Sequence, residues 1–499
     1  MDLINLINLL RNYLWDYVLL YAFIGIGLFL TIRLGFPQFS RVFPALKRMI
    51  ADIIKGTPAK EGGMTPFQSL ATAVAAQVGT GNIVGVATAL ISGGPGAAFW
   101  MLLSGFLGMG TIFAEAVLAQ VYREREEADD NLVGGPAYYI KNGLKQKWLA
   151  YVFAILCVVA LGVVGIMVQS NSIITSMNSA FGLNELLITG ILILVVTWIL
   201  IGGMERIAKF SEKVVPVMAF AYVFSAFVIL FLNLDLFLPT IKLIVSSAFN
   251  PQAIAGGALG ISIQQAIRFG LARGLFSNEA GMGSTPHSHA VATTSHPAEQ
   301  GFIAMIGVFI CTFVICVATV MINLLTGAYS IETLQGMDPA QLANYGQVMT
   351  QTAFSNQFGS LGEAFLSISL SCFSLTTTVG WYFFAESNIK FMFDSPKIIH
   401  SFKVVAIISV AMGYYASSGV IWDIADLAMG LMALPNIISL VFLSNKAAAV
   451  LKDYDRQVSL DPNQVSWSYE FENAGKLASS SKRRRVKFKA SRPVGYVND

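Results

Sequence analysis

The feature that most constrains this chain is a series of apolar runs, each about 20 residues long, a length that spans the hydrocarbon core of a bilayer when it is helical. Eleven such runs occur, at about residues 16–34, 66–92, 97–121, 149–171, 185–203, 212–233, 256–283, 299–326, 360–391, 401–418 and 424–445. Charged residues make up 12% of the chain, compared with about 25% in soluble proteins. The sequence therefore predicts an all-α polytopic membrane protein with eleven transmembrane helices.

Lysine and arginine are distributed unevenly over the connections between these runs. The odd-numbered connections carry most of them: the first has Arg41 and Lys47 among others, and the third has Arg123 and Lys141. The second, fourth, eighth and tenth connections carry essentially none, whereas the residues after 446 are strongly basic. By the positive-inside rule, the odd-numbered connections and the C-terminus are predicted to be cytoplasmic and the N-terminus outside. The N-terminal residues lack the pattern of a cleaved signal peptide.

Two of the predicted helices contain stretches that disfavour a continuous helix. The second is interrupted at QVGTGN, residues 77–82, and the seventh at RGLFSNEAG, residues 273–281. Each interrupted helix begins a run of five, and because five is odd the second run must cross the membrane in the opposite sense. The sequence therefore predicts an inverted 5+5 repeat, with one extra N-terminal helix at 16–34 outside it. The repeats would cover residues 66–233 and 256–445.

Interrupted helices at corresponding places in two halves are the strongest sequence indication of a transporter binding site. The N-terminus of a half-helix favours a carboxylate, and the carbonyl groups freed at a break favour a cation. A zwitterionic amino acid carried together with a metal cation would satisfy both. The alternative is that each stretch is only a packing position for small residues. Two such stretches at equivalent positions favour the binding site.

Several motifs in the chain are distinctive: VGTGNIVGVATAL (78–90), GGPGAAFWM (93–101), GGPAYYI (134–140), ARGLFSNEAGMGS (272–284) and TTVGW (377–381). With these motifs the chain resembles the alanine or glycine:cation symporter family, over nearly its whole length to about residue 446. The resemblance implies a LeuT-like fold and a location in a bacterial-type inner (cell) membrane. It also implies sodium-coupled uptake of small neutral amino acids, with Na⁺ as the coupling ion and no cofactor.

The resemblance assigns a substrate-binding role to residues at both interruptions. Backbone amides near Thr80 and Gly81 would hold the substrate carboxylate, and Asn82 would lie beside the substrate or a sodium ion. At the second interruption an aromatic ring would pack on the substrate side chain, next to a hydroxyl and an amide. The residues that share this role there are Phe276, Ser277 and Asn278.

Two more residues are predicted to complete the substrate pocket: Gln169 in the fourth helix and Trp381 in the ninth. The alternative for Trp381 is a place in the aromatic belt at the membrane interface, but it lies well inside its apolar run. Family members commonly have Asn where this chain has Ile166, and Tyr and Gly where it has Phe383 and Ala385. These departures remove polar groups and leave the choice among neutral amino acids open.

The resemblance also implies a sodium site. Carbonyl groups of Ala75 and Val78 would face the ion together with the hydroxyls of Thr376 and Thr377. A hard cation prefers oxygen ligands, and neutral oxygens are sufficient for a monovalent ion. The alternative is that each threonine hydroxyl bonds to a carbonyl of its own helix, which is common for threonine within helices.

Charged and histidine residues near the apolar runs have less specific interpretations. Arg273 and Glu279 flank the second interruption and are expected to neutralise each other or a neighbour, because isolated charges at this depth are costly. Glu115 and Glu386 are predicted to snorkel to the interface or to pair with an arginine, with a proton path as the alternative. The segment HSHAVATTSH, residues 287–296, is predicted to be a polar cytoplasmic connection, with metal binding as the alternative.

The chain is divided by composition into a transport domain, 1–446, and a tail, 447–499. The basic tail is predicted to be disordered, cytoplasmic and attracted to anionic lipid rather than to nucleic acid. The four cysteines lie in apolar runs and are interpreted as small core residues. No nucleophile–base cluster, metal-ligand spacing or nucleotide loop indicates an enzyme. The alternatives that stay open are a symporter for glutamine or another neutral amino acid, proton coupling, a channel and a membrane receptor.

Overall fold

The computed structural model describes residues 3–41, 63–126, 131–250, 262–393, 395–416, 418–461 and 465–467, with three isolated residues between 44 and 47. The described α-helices are Leu3–Tyr13, Leu20–Arg33, Pro37–Ser40, Pro66–Gln77, Val86–Gly93, Gly96–Val121, Pro136–Asn142, Lys147–Val159, Ile166–Phe181, Glu185–Ile201, Gly203–Leu232, Leu234–Phe249, Ile263–Asn278, Pro286–Ala290, Pro297–Val308, Val317–Leu325, Ile331–Leu334, Pro339–Phe358, Ser360–Met392, Pro396–Met412 and Ser418–Leu460. The described π-helical segments are Leu14–Leu19, Gly81–Gly85, Ala160–Gly165 and Phe309–Cys316. The described strands, Glu124–Arg125 and Leu132–Val133, pair antiparallel.

Each of the eleven predicted apolar runs contains a helix. Within the described ranges, seven helices are long and apolar enough to cross a membrane, and eight if the bent pair Pro66–Gln77 and Gly81–Gly93 forms one span. Glu185–Ile201 is apolar but has only 17 residues. The helical, polytopic character is confirmed, while the count of eleven and the repeats remain predictions. Residues 256–261, the start of the seventh predicted run, lie outside the described residues.

The two helices that lead into the predicted interruptions begin in the same way. Thr65 and Ser262 each accept a hydrogen bond from the backbone N–H three residues later, and the glutamines at those later positions, Gln68 and Gln265, accept one in return. This capping box satisfies N–H groups that the first helical turn leaves free, and so fixes where each helix begins. The shared start is consistent with the predicted repeat.

The first interruption is confirmed at the predicted place. The helix Pro66–Gln77 ends at Gln77, and the chain becomes helical again with the π-helical segment Gly81–Gly85. The axes of the two helical pieces differ in direction by 53°. Residues 78–80 are called the first break below.

The second interruption begins later than predicted. The helix Ile263–Asn278 includes Arg273 and Gly274, and only at Glu279 does the backbone enter the left-handed region, with φ of 57°. Gly274 does not break the helix. Its missing side chain lets two helices pack closely, because a Cβ there would overlap Ser104 of the helix Gly96–Val121. The turn itself uses two glycines with positive φ, Gly281 at 87° and Gly283 at 83°. Residues 279–285 are called the second break below.

The three histidines in the segment after the second break are buried, which the prediction of a polar connection did not include, whereas Ser295 in the same segment is exposed. His287 and His289 lie in the short helix Pro286–Ala290 and are each 1% exposed. The His287 ring stacks between Phe153 and Phe384, and its Nε2 faces the Asn388 amide at 2.8 Å. Aromatic neighbours and hydrogen bonds thus make His287 a core residue. Among the described residues, no group of three His, Cys, Asp or Glu side chains could hold a metal ion.

The last helix also differs from its predicted extent. It runs from Ser418 to Leu460 rather than ending near residue 445. Val450, Leu451 and Tyr454 are buried beyond the predicted end, so these apolar residues continue the packed core. Trp467 donates its backbone N–H to the Ser295 carbonyl at 2.8 Å. Residues 468–499, which include the basic part of the predicted tail, lie outside the described residues.

Candidate functional site

The two breaks meet inside the protein. Gln77, the last residue before the first break, donates from Nε2 to the carbonyl oxygen of Asn278, the last helical residue before the second, at 2.7 Å. Gly81 lies directly against the Phe276 ring, because a Cβ at Gly81 would be 2.8 Å from Phe276 Cδ1. No other residue type allows so close an approach. The fold therefore brings together residues that are almost 200 positions apart.

The backbone amides of the first break point at side-chain carbonyl oxygens. Thr80 donates its N–H to Gln169 Oε1 at 3.3 Å, and Gly79 donates its N–H to Asn82 Oδ1 at 3.0 Å. The Thr80 hydroxyl is buried and has no hydrogen-bond partner among the described residues. A buried polar atom left unpaired costs about 1–3 kcal/mol. This group of donors and one unpaired hydroxyl is suited to a small polar ligand.

Aromatic rings form one wall of this region. The Phe276 ring packs edge-to-face on Trp381 with centroids 6.3 Å apart, and lies at a tilt of 37° to the Trp422 ring with centroids 5.2 Å apart. Trp381 donates its indole N–H to Glu279 Oε1 at 2.6 Å, which ties the wall to the second break. Phe276 and Trp381 were predicted site residues. Trp422, in the last helix, was not predicted, because its segment carries no break or family motif.

The predicted sodium ligands are only partly brought together. Thr377 Oγ1 donates to the carbonyl oxygen of Ala75 at 2.9 Å, so these two oxygens are adjacent and next to the first break. Thr376 Oγ1 instead donates to the Phe373 carbonyl of its own helix at 2.8 Å. The alternative reading of a threonine bonded within its helix therefore holds for Thr376. Val78, three residues after Ala75, is the first residue of the first break, and its N–H donates to Val74 O at 2.7 Å.

Ser277 and Asn278 face a helix that the sequence did not implicate. Asn278 donates from Nδ2 to Thr312 Oγ1 at 3.2 Å, and Ser277 Oγ lies 3.2 Å from Cys311 Sγ and 3.0 Å from Cys316 Sγ. All three partners belong to the π-helical segment Phe309–Cys316. The polar and sulfur atoms of these three residues within an apolar run were the only indication in the sequence that this segment contacts the site. The sequence-based interpretation of Cys311 and Cys316 as small core residues does not include these polar contacts.

Arg273 and Glu279 do not neutralise each other. Arg273 forms a bidentate ion pair with Asp426, in which its two terminal guanidinium nitrogens lie 2.9 and 3.0 Å from the two carboxylate oxygens. Its guanidinium carbon also lies 5.4 Å from the centre of the Trp422 ring. Glu279 accepts hydrogen bonds from Ser284 Oγ and from the Trp381 indole. Arg273 is therefore neutralised by a neighbour, as expected, whereas these partners of Glu279 are neutral hydrogen-bond donors.

Glu115 is buried at the second break, so the predictions of snorkelling and of pairing with an arginine are wrong. Its carboxylate accepts from the backbone N–H groups of Gly281 at 2.9 Å and Gly283 at 3.0 Å, and from the side-chain amide of Asn436. The turn exposes these donors, and a carboxylate is the acceptor that satisfies two of them together. Glu386 lies 3.8 Å from Lys390, so its cationic neighbour is a lysine rather than an arginine.

The candidate site is closed to solvent. The side chains predicted to bind substrate at the two breaks, together with Gln169 and Trp381, are at most 3% exposed. Thr376 and Thr377 are fully buried as well. A small molecule could reach this region only if the surrounding helices move.

The sequence matches known proteins over most of its length. The family described as "Sodium:alanine symporter family" matches residues 1–467. Amino-acid carrier protein AlsT of Bacillus subtilis (strain 168) is 40% identical over 460 residues, which is 92% of this chain and 94% of that protein. Probable sodium/glutamine symporter GlnT of the same strain is 37% identical over 94% of both chains. Sodium/alanine symporter AgcS of Methanococcus maripaludis is 36% identical over 91% of this chain and 98% of that protein.

A solved structure has a similar fold. MhsT, crystallised in complex with L-phenylalanine, superposes with a TM-score of 0.54 over 79% of this chain and 99% of that chain. The two sequences are only 12% identical, so the likeness concerns the fold alone. The predicted LeuT-like fold is confirmed at this level, without confirmation of the helix count or the repeat.

Proposed function

Because the chain belongs to the sodium:alanine symporter family, we propose that it imports alanine or glycine together with Na⁺ by alternating access. Membership makes it an amino-acid transporter of the membrane and not an enzyme. The proposal goes further in naming the substrate, the ion and the residues that bind them. It also keeps the predicted orientation, with the N-terminus outside and the C-terminus cytoplasmic.

The observation that carries the proposal is the junction of the two breaks. A substrate carboxylate would take the Thr80 N–H, which Gln169 Oε1 occupies at 3.3 Å. The unpaired Thr80 hydroxyl would gain a partner in the substrate ammonium group. Three more polar side chains near the two breaks would contribute to substrate binding: Asn82, Ser277 and Asn278.

The tightness of the junction supports a small side chain. Phe276 touches Gly81 on one side and packs on Trp381 on the other. The Phe276 ring, held by these two contacts, leaves little space beside the first break. In a hydrophobic pocket one methylene more or less in the substrate changes the binding free energy by about 1–3 kcal/mol. Alanine and glycine therefore fit better than larger neutral amino acids.

The Na⁺ site would be built on Ala75 O and Thr377 Oγ1, which lie 2.9 Å apart. Both are neutral oxygens, as a monovalent hard cation accepts. We place Val78 and Thr376 in the same site, with Thr376 as the weaker assignment because its hydroxyl is bonded to Phe373. One positive charge moving inward across 100 mV releases about 2.3 kcal/mol, so the expected direction is import.

The function is tested by uptake of radiolabelled L-alanine, glycine and L-glutamine into proteoliposomes that contain the full chain. Each amino acid is measured with an inward Na⁺ gradient, with K⁺ in place of Na⁺, and with a proton gradient alone. We expect Na⁺-dependent accumulation of alanine or glycine. Accumulation of glutamine alone would reassign the substrate, as the name of one relative suggests. Uptake driven only by protons would overturn the coupling ion, and no uptake by folded protein would favour a receptor.

The sodium site is tested by Thr377→Val, which keeps the shape and removes the hydroxyl. Losing one buried polar ligand costs about 1–3 kcal/mol, which corresponds to a rise of about 5- to 150-fold in the Na⁺ concentration for half-maximal uptake. The matched control is Thr378→Val, because the Thr378 hydroxyl bonds to Ser374 O within its own helix at 2.9 Å. Equal effects of the two substitutions would contradict the assignment. Thr377→Ser should retain most of the Na⁺ affinity.

A further inference from the structure

Two of the four cysteines lie side by side where the breaks meet. Cys311 and Cys316 are five residues apart in the π-helical segment Phe309–Cys316, and hydrogen bonding from i to i+5 in a π-helix places such residues on adjacent turns. Their sulfur atoms share two neighbours. Ser277 Oγ lies 3.2 and 3.0 Å from them, and Asn82 Nδ2 lies 2.9 and 3.4 Å from them. The two thiols therefore form a pair rather than two separate core residues.

The neighbours of this pair are arranged to support reaction at sulfur. Asn82 turns its amide N–H toward both sulfurs, because its Oδ1 is held by the Gly79 N–H at 3.0 Å. Ser277 contributes a hydroxyl, and Cys311 Sγ can donate to the Ser277 carbonyl at 3.1 Å. These shared polar neighbours hold the two thiols where both can bond to one soft atom. The other cysteines differ: Cys157 has the Asn388 amide as its neighbour at 3.2 Å, and Cys372 is half-buried.

We propose that Cys311 and Cys316 form a dithiol site for trivalent arsenicals, and that occupation of this site stops transport. The reaction is a condensation: the two S–H groups and one organic As=O group give two As–S bonds and one water, and arsenic stays trivalent. Sulfur atoms bonded to arsenic lose their hydrogen bonds to Asn82 and Ser277, which are two of the proposed substrate-binding residues. The effect on transport therefore rests on the proposed function. The soft character of sulfur suits a soft metalloid better than a hard cation.

Access to the site depends on movement of the helices. Cys311 and Cys316 are 0% and 1% exposed in this closed arrangement. An arsenical can therefore reach them only in conformations that open the junction of the breaks, which a working transporter visits repeatedly. Labelling is measured during turnover, with Na⁺ and alanine present on both sides.

The binding experiment uses phenylarsine oxide with the full chain in proteoliposomes and intact-mass spectrometry. We expect one phenylarsenic group per chain, removed by 2,3-dimercaptopropanol and not by a monothiol. Cys311→Ser and Cys316→Ser should each weaken labelling by about 10²-fold or more, because chelation by two linked groups is lost. Cys157→Ser and Cys372→Ser are the matched controls and should label like the parent chain. Absence of the adduct during turnover, or its persistence in both single variants, would overturn the site.

The transport readout separates this proposal from the proposed function. Phenylarsine oxide should reduce Na⁺-driven uptake by the parent chain at least about tenfold at saturation, with recovery after 2,3-dimercaptopropanol. The variants Cys311→Ser and Cys311→Ala should resist the reagent, and having both guards against failure of one to fold. Full labelling without inhibition would overturn the link to transport. If the untreated chain shows no Na⁺-driven uptake, the proposed function fails, while an adduct that 2,3-dimercaptopropanol removes would still support the dithiol site.

Discussion

At the residue scale, two glycines determine how closely other chain segments approach the first break. A Cβ at Gly79 would overlap the Thr377 hydroxyl, and a Cβ at Gly81 would lie 2.8 Å from the Phe276 ring. Thr377 is a proposed Na⁺ ligand and Phe276 a proposed substrate contact. The absence of two side chains therefore brings the proposed ion site and the proposed substrate site against one short segment.

Substitution of these glycines by alanine should impair uptake without preventing folding. Gly81→Ala inserts a methyl group into the contact with Phe276, and overpacking of this kind costs about 1–3 kcal/mol. If that cost falls on the substrate-bound state, kcat/KM for alanine uptake should fall about 5- to 150-fold. The measurement is initial uptake rate against alanine concentration in proteoliposomes, normalised to the amount of inserted protein.

Gly190→Ala is the matched control for this prediction. Gly190 lies within the helix Glu185–Ile201, and a Cβ there would meet no atom within 4 Å. Alanine is preferred over glycine inside a helix by about 1 kcal/mol, so this variant should transport like the parent chain. Unchanged uptake in Gly81→Ala would show that Phe276 can move away and that the contact does not shape the site.

At the scale of structural elements, the second break is held by two other helices. Glu115 in Gly96–Val121 accepts from Gly281 and Gly283, and Asn436 in the last helix donates to both Glu115 and the Gly281 carbonyl, the latter at 2.8 Å. The Tyr139 hydroxyl in turn donates to Asn436 Oδ1. Because the break leaves backbone groups unpaired in a buried place, these side chains replace the hydrogen bonds that a continuous helix would have made.

Replacing the Glu115 carboxylate should therefore destabilise the folded protein. Glu115→Gln keeps one acceptor oxygen but directs an amide group at backbone donors, and an unsatisfied buried donor costs about 1–3 kcal/mol. We expect a lower Tm for the detergent-solubilised protein, measured by the temperature dependence of monodisperse elution. Glu115→Ala should lower Tm further, because it also leaves a cavity.

Glu205→Gln serves as the comparison. Glu205 pairs with Lys209 at 2.6 Å on the surface, where the Glu205 side chain is 79% exposed. Exposed pairs of this kind contribute about 0–1 kcal/mol, so Tm should change little. A Tm for Glu115→Gln that equals that of Glu205→Gln would mean that the second break does not depend on the buried carboxylate.

At the scale of the whole molecule, the proposed orientation follows from the distribution of basic residues. The third connection, which contains Lys145, is predicted to be cytoplasmic, and the eighth, which contains the helix Ile331–Leu334, is predicted to be outside. Lys145 and Glu332 are both exposed, so each position can report the side on which it lies.

Labelling of introduced cysteines with a membrane-impermeant maleimide tests this orientation in intact cells. Glu332→Cys should react from outside, whereas Lys145→Cys should react only after the membrane is permeabilised. The background is set by the parent chain, in which Cys157, Cys311 and Cys316 are buried and Cys372 is half-buried. The reverse pattern would overturn the proposed topology.

The sequence by itself determined the features that depend on neighbouring residues. Apolar runs long enough to span a bilayer marked the helices, and the first break was located correctly because glycine and polar residues weaken a helix wherever it is. The family motifs marked Phe276 and Trp381, which the fold brings into contact. The positions of helix ends were predicted less accurately than the helices themselves. Gly274, for example, was predicted to lie in a break but is a packing residue within a helix.

Tertiary structure alone decided which distant groups become partners. Glu115 and Glu386 read alike as acidic residues near helix ends, yet one is buried against the backbone of the second break and the other lies near Lys390. Trp422, Cys311 and Cys316 acquire their places only because the last helix and the π-helical segment pack against the breaks. The free energy of a buried polar group depends on the donors and acceptors around it, and those around Glu115 come from segments 166 to 321 residues away in the chain.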